Sequence, residues 1–314
     1  MCFTTYDDLT VIIPTYREAS GIGYVLDELT SLGISRENVI VVDGRSDDGT
    51  PEIAEGRGFN VIFQENSGKA DAIKIGVKLV KTPYVLIMDG DYTYPAYHIP
   101  ELLSKAREGY DLVLGCRRYR EKGAMNPIFM FGNKVITYFV NLLYGTRISD
   151  ALTGMYVVKT NVLREVFYEM KGFSLEAEIF SHVASTTGKV AEVPIKYRAR
   201  KGVKKLGIIQ GFKITWDVIR LTWRYNPSYL IFLLGSALLI PGLVLGTYVA
   251  YHYFFTGINY YLKGLVAILL TLTGFQSLLM SIMSIYTKRV EMRTLYRMNE
   301  IKGYLEEMRE MVKK

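Results

Sequence analysis

The chain has 314 residues, with 38 Lys and Arg against 31 Asp and Glu and a formal charge of +7 at pH 7. That length points to one or two domains, and 49% hydrophobic residues argue against disordered and fibrous classes. Two runs free of Lys, Arg, Asp and Glu, 228–251 and 264–287, each exceed the roughly 20 helical residues a bilayer requires, which excludes a purely soluble protein.

Residues 1–10 carry Asp7 and Asp8 and no apolar run, so no secretory signal is expected. Cys2 and Cys116 are too few and too far apart for a disulfide framework or a metal cluster, which fits a reducing compartment. Short apolar, β-branched runs at 10–14, 38–43, 60–63, 84–89 and 111–115 read as buried strands, and helical patterns at 21–32, 68–80 and 99–107 lie between them. This alternation predicts an α/β domain with a mostly parallel sheet and right-handed crossovers. Ligands of such sheets bind beyond the strand C-termini, where Tyr16, Glu18, Asp43, Asp89, Asp91 and Arg117 fall.

After the first strand comes Pro14-Thr15-Tyr16-Arg17-Glu18, with no glycine-rich phosphate loop. Dinucleotide dehydrogenases and P-loop NTPases are therefore disfavoured, whereas Tyr16 with Glu18 and Asp43 could hold a nucleotide base. Residues 43–50 are also readable as a turn and helix cap. In Asp89-Gly90-Asp91 two carboxylates flank one small residue at a strand end, within reach of one hard divalent cation, although such turns also simply terminate strands.

Residues 127–144 are aromatic and aliphatic with one charge, Lys134, a pattern that serves a membrane-interface helix and a core helix equally. Segment 196–224 holds nine Lys or Arg and one Asp, and Ile208, Phe212, Trp216, Ile219 and Trp223 recur at helical spacing, which predicts an amphipathic interface helix over 207–226. The partners implied are anionic headgroups and phosphates, with no nucleic acid expected. The spans at 227–287 form a hairpin: loop 252–263 holds one Lys, whereas Lys288, Arg289, Arg293 and Arg297 follow the second span. The positive-inside rule therefore places the catalytic domain and C-terminus on the cytoplasmic side of an integral membrane protein. Pro241-Gly242 is a candidate kink. Met298, Ile301, Leu305, Met308 and Val312 give a charged terminal helix over 288–314 an apolar seam, and this seam and the spans offer surfaces for a homo-oligomer.

Taken in order, Val11-Ile12-Ile13-Pro14-Thr15-Tyr16-Arg17-Glu18, Val41-Val42-Asp43 through Ser46, Asp48-Gly49-Thr50, Gly68-Lys69-Ala70-Asp71-Ala72, Asp89-Gly90-Asp91 and Gly115-Cys116-Arg117-Arg118-Tyr119 resemble the signature of family 2 glycosyltransferases. The similarity is to membrane-anchored polyprenyl-phosphate sugar synthases of the dolichol-phosphate mannose synthase type. It continues through Asp150-Ala151-Leu152-Thr153-Gly154-Met155, Gly172-Phe173 to Glu178, Glu192-Val193-Pro194-Ile195 and Arg200-Lys201-Gly202-Val203-Lys204-Lys205-Leu206.

The resemblance implies a GT-A-like, Rossmann-like catalytic domain over 1–206. It implies that Pro14, Tyr16, Glu18 and Asp43 hold the nucleotide base and ribose, and that Lys69, Asp89, Gly90 and Asp91 belong to the nucleotide-sugar site. Asp89 and Asp91, with Thr93, fall where the family binds Mg2+ or Mn2+, and Arg117, Arg200 and Lys205 where it gathers lipid phosphate and diphosphate. Gly44 stands where a second Asp is frequent, Thr93 where some members offer an amide, and Cys116 and Lys204 where Ser is usual. The reaction implied is metal-dependent, inverting transfer of a hexose from a GDP- or UDP-sugar to polyprenyl or dolichyl phosphate. An anionic phosphate nucleophile needs no general base, so the catalytic set is Asp91, Arg117, Arg200 and Lys205. A hydroxyl acceptor on a glycolipid or polysaccharide would instead need a carboxylate base, for which Glu176 and Glu178 are candidates. A catalytically silent membrane scaffold is the reading from a different class.

Overall fold

The computed structural model describes residues 5–166, 168, 175–202, 216, 220, 223 and 227–312. The chain divides into two units, 1–221 and 222–314.

In the first unit, β1 (Leu9–Thr15), β2 (Val39–Asp43), β3 (Asn60–Phe63), β4 (Tyr84–Ile87), β5 (Leu112–Arg120), β6 (Tyr156–Lys159) and β7 (Val190–Tyr197) form one sheet. Its order is β3-β2-β1-β4-β6-β5-β7, with β6 antiparallel to both neighbours and every other pair parallel. α1 (Ala19–Ser31), α2 (Thr50–Glu55), α3 (Lys69–Leu79) and α4 (Ile99–Arg107) supply the crossovers. Val11 and Ile13 of β1, Val39 and Val41 of β2 and Leu86 of β4 pack with Ile22, Val25, Leu26 and Leu29 of α1 and Leu102 and Leu103 of α4 in one continuous core.

Three expectations are corrected. β3 is not buried: as an edge strand it leaves Asn60 and Phe63 exposed. β4 ends at Ile87 after the Met88 amide donates to Ile12, so Asp89 stands clear of the ladder. β5 continues to Arg120, because β7 runs parallel to it past a register shift between Arg117 and Tyr119. Pro194 is tolerated in β7 because that strand is the other edge.

α5 (Pro127–Tyr144) matches the expected bounds and has one buried and one exposed face. Asn133, Ile136, Thr137 and Val140 are buried, whereas Phe131, Tyr138, Phe139 and Leu142 are exposed. α6 (Thr160–Arg164) and α7 (Leu175–Thr186) complete the unit. Of the expected 207–226 helix only Trp216, Arg220 and Trp223 are described, each helical and both Trp exposed.

The second unit is a helix pair, α8 (Pro227–Tyr251) and α9 (Tyr261–Val312), joined through a π-turn at His252–Thr256. Both helices contain stretches long and apolar enough to cross a membrane. They approach closely at small residues: a Cβ on Gly274 would stand 2.5 Å from the Leu239 amide nitrogen, and one on Gly242 2.7 Å from that of Thr271. The Ser281 hydroxyl donates to the Ser228 carbonyl at 2.7 Å. The charged C-terminal segment is not a separate helix. With neither Gly nor Pro between Gly274 and Gly303, α9 continues from the span without a break.

Candidate functional site

β2, β1 and β4 are sheet neighbours, so the loops at their C-terminal ends converge. Each loop carries a non-glycine residue in the left-handed region, Arg17 (φ 51°), Arg45 (φ 60°) and Tyr92 (φ 68°). Such conformations cost about 1–3 kcal/mol each and persist where surrounding structure dictates them. The Asp89-Gly90-Asp91 turn is wedged against α1: a Cβ on Gly21 would stand 2.8 Å from the Gly90 carbonyl oxygen. α1 thereby fixes the height of both carboxylates above the sheet.

The carboxylates face different cations. Lys69, the first residue of α3, donates to Asp89 Oδ1 at 2.6 Å and to Glu176 Oε1 of α7 at 2.5 Å. Burial opposes the charge on Lys69, but Asp89 and Glu176 outweigh it and hold the ammonium well above the usual lysine range. Arg200 donates to Glu18 Oε1 at 2.5 Å, and its second Nη lies 3.4 Å from Asp91 Oδ2. Burial, reinforced by Asp89, pushes the Asp91 carboxyl up against the opposing pull of Arg200 and Thr93. Burial likewise raises Glu176 against Lys69.

Arg117 donates Nε and Nη2 to the two Asp150 oxygens, both at 2.7 Å, and Nη2 also reaches the Leu152 carbonyl at 2.8 Å. Asn133 of α5 adds a 2.9 Å bond to Asp150. Burial works against the Asp150 charge, yet the guanidinium holds its carboxyl below the ordinary range. Next to this pair the Gly154 amide donates to the Tyr94 hydroxyl at 2.6 Å, and a Cβ on Gly154 would overlap the Asp89 carboxylate.

The expected site residues thus fall into groups. Asp89 pairs with Lys69, and Glu18 and Asp91 pair with Arg200, two groups of ion pairs linked by the turn that contains Gly90. Tyr16 is exposed at the β1 end and Pro14 lies opposite Val42 within the ladder. Asp43 is fully buried: its oxygens accept from Thr15 Oγ1 at 2.7 Å and from the Ser46 amide and hydroxyl at 2.6 and 2.8 Å, so it shapes the loop after β2. Thr93 turns its hydroxyl to Asp91 Oδ1 at 2.5 Å and is itself buried, so any part it has in holding a metal acts through that carboxylate. Arg117 is committed to Asp150, and Lys205, with Lys204, lies outside the described residues. Glu176, considered only as a base for a different acceptor, joins the site through Lys69. Asp150 and Gly154 were visible in sequence only as parts of a motif. Among the described residues no three His, Cys, Asp or Glu side chains are grouped to hold a metal.

The profile of glycosyl transferase family 2 matches residues 10–167. The chain is 32% identical over 285 residues to glycosyltransferase AglJ of Haloferax volcanii, covering 89% of this chain and 93% of that one. It is 36% identical over 207 residues to a dolichyl-phosphate hexose transferase of the same organism, covering 66% and 90%. Among solved structures, glucosyl-3-phosphoglycerate synthase from Mycobacterium tuberculosis, in complex with Mn2+, uridine diphosphate and glucosyl-3-phosphoglycerate, superposes with a TM-score of 0.57. At 19% identity over 69% of this chain and 79% of that one, this similarity shows a common fold.

Proposed function

The chain belongs to glycosyl transferase family 2, and from that membership we propose that it transfers a hexose from a GDP- or UDP-sugar to a polyprenyl or dolichyl phosphate, with inversion at the anomeric carbon. One observation carries this reading: the acidic pair Asp89 and Asp91 meets the cations Lys69 and Arg200, drawn from distant parts of the chain, at the strand ends where a nucleotide diphosphate would lie. The name of the Haloferax hexose transferase supports the acceptor class.

Two hard oxygen donors flanking one residue suit Mg2+ or Mn2+ shared with a diphosphate, and the solved neighbour is a complex with Mn2+ and uridine diphosphate. Asp89 and Asp91 would hold the ion, with Thr93 orienting Asp91. The chemistry a bound ion supplies is neutralisation of the leaving diphosphate.

The lipid phosphate is already an anion. Its oxygen forms the new bond to the anomeric carbon as the bond to the diphosphate oxygen breaks on the opposite face, and no proton need be removed. What the chain must do is gather like charges and hold them in line. Arg200 and Lys69 are the cations poised at the acidic pair, the family resemblance assigns Lys205 to the phosphates, and Arg117 acts through the wall it builds with Asp150. A hydroxyl acceptor would require a base; Glu178 is buried, and Glu176 is buried and bound to Lys69, which favours the phosphate acceptor. Tyr16 and Glu18 hold the base and ribose. The exposed aromatic face of α5 suits a headgroup layer, and the Lys and Arg flanking the apolar helices support a catalytic domain and C-terminus on the cytoplasmic side.

The test is to incubate the purified protein with Mg2+ or Mn2+, a short polyprenyl phosphate and radiolabelled GDP- and UDP-hexoses. Label extracted into organic solvent from one donor, lost in Asp91→Ala, is the expected result. Label found only in a water-soluble acceptor would overturn it.

A further inference from the structure

Gln276 stands near the middle of the apolar stretch Tyr261–Thr287 of α9, about 16 Å from its end at 1.5 Å per residue. Its side chain is exposed and has no hydrogen-bond partner among the described residues. Hydrocarbon offers a carboxamide neither donor nor acceptor, so the position is costly unless another polar group meets it. α8 is not that partner. It packs along Ala267, Gly274 and Ser281, and Gln276 lies about 200° around the helix from Gly274. The face it occupies carries a seam. Leu265, Leu272, Leu279 and Tyr286 recur every seven residues, Gln276 and Met283 follow four after Leu272 and Leu279, and all are exposed. In the charged segment beyond Thr287, Met298, Ile301 and Met308 are exposed as well. All of these residues project within about 60° of the direction opposite Gly274.

Neither lipid nor water suits this face along its whole length. Lipid covers the leucines but leaves Gln276 unpaired, and water beyond Thr287 meets apolar side chains at Met298, Ile301 and Met308. A second copy of α9 satisfies both parts. We propose that this face is the interface between two copies of the chain, with the Gln276 carboxamide hydrogen-bonded to the partner's Gln276. Two copies of one chain insert in the bilayer alike, so their α9 helices run in parallel about a two-fold axis along the membrane normal. Each seam position then meets its own counterpart. A carboxamide is self-complementary, because its N–H donates to the partner's C=O while its own C=O accepts. The heptad-spaced apolar residues supply the packing, and one polar residue among them fixes the register. Because α9 is unbroken from Tyr261 to Val312, the same seam joins the two chains inside the hydrocarbon and beyond it.

The test reads association and needs no substrate. Full-length protein carrying a donor or an acceptor fluorophore at its N-terminus is reconstituted in phosphatidylcholine vesicles over a range of protein-to-lipid ratios. Energy transfer should rise with that ratio to a plateau and depend linearly on the acceptor fraction, as a dimer requires. Gln276→Leu and Ile301→Asn should each raise the dissociation constant about threefold or more. Leucine weakens the pair at 276 because in hydrocarbon the lone amide of a monomer finds no water to replace its partner. Ile282→Ala, at an exposed position about a quarter turn from the seam, should leave the constant unchanged. Both seam substitutions lie away from α8, so the helix pair within each chain is kept. A wild type that stays monomeric at every ratio would overturn the inference, including one that associates only when a different membrane protein is added. So would an assembly larger than two, an unchanged or tighter constant in Gln276→Leu, or an equal loss in Ile282→Ala.

Discussion

The Arg117 guanidinium grips the Asp150 carboxylate through two 2.7 Å hydrogen bonds, with side chains only 9% and 0% exposed. Truncating one partner strands a buried charge. Asp150→Ala should therefore lose about 3–5 kcal/mol in denaturant unfolding, whereas the apolar pair Arg117→Met with Asp150→Leu should lose much less. Equal losses would show that the charges themselves are needed for the fold.

The same pair sets an acid limit. Asp150 titrates below its ordinary value of 3.8 when folded, so the unfolded chain binds its proton more readily. The stabilisation is complete above the unfolded value and disappears as pH falls through the lower folded one. The stability gap between wild type and Asp150→Asn should accordingly be constant near neutrality and shrink below about pH 4.

Removing the Asp91 carboxylate should lower turnover by at least about a hundredfold, read as label transferred to lipid. Lipid binding should persist, because the acceptor's tail and phosphate do not depend on that carboxylate.

Gly154→Ala should damage the site without unfolding the domain. The added methyl would overlap the Asp89 carboxylate and crowd the Tyr94 ring. Divalent-cation affinity measured by Mn2+ titration should drop about tenfold or more, a loss typical of a disturbed metal surround, with the melting temperature close to wild type.

In the helix pair, Gly274→Val would drive its Cβ into the Leu239 backbone. Stability in detergent should fall by about 1–3 kcal/mol, while Leu269→Val, at an exposed position, should have little effect.

Much of this was legible in advance for physical reasons. The apolar runs of β1, β2 and β4 are long and β-branched, their loops carry the polar residues, and two charge-free stretches can hardly be anything but apolar helices. The four-residue β6 was not legible, because a run so short has no periodicity and its antiparallel insertion depends on partners elsewhere. Nor was the link between Lys69 and Glu176, which are 107 residues apart; no local spacing encodes a pair that forms only when α3 and α7 meet. Asp43 was identified as polar and at a strand end, but its satisfaction by Thr15 and Ser46 is a matter of three-dimensional geometry. The helical signal beyond 287 was read correctly, while its continuity with the span was not, since changing composition hides an unbroken backbone.

That unbroken backbone makes α9 a mechanical lever. Its 52 residues extend for about 78 Å at 1.5 Å per residue. Roughly 37 Å of this lies beyond Thr287, so a change in tilt of about 10° within the bilayer would sweep the charged tip through some 6 Å. Because bilayer thickness governs the tilt of apolar helices, any such change of tilt would be carried to the far end of α9.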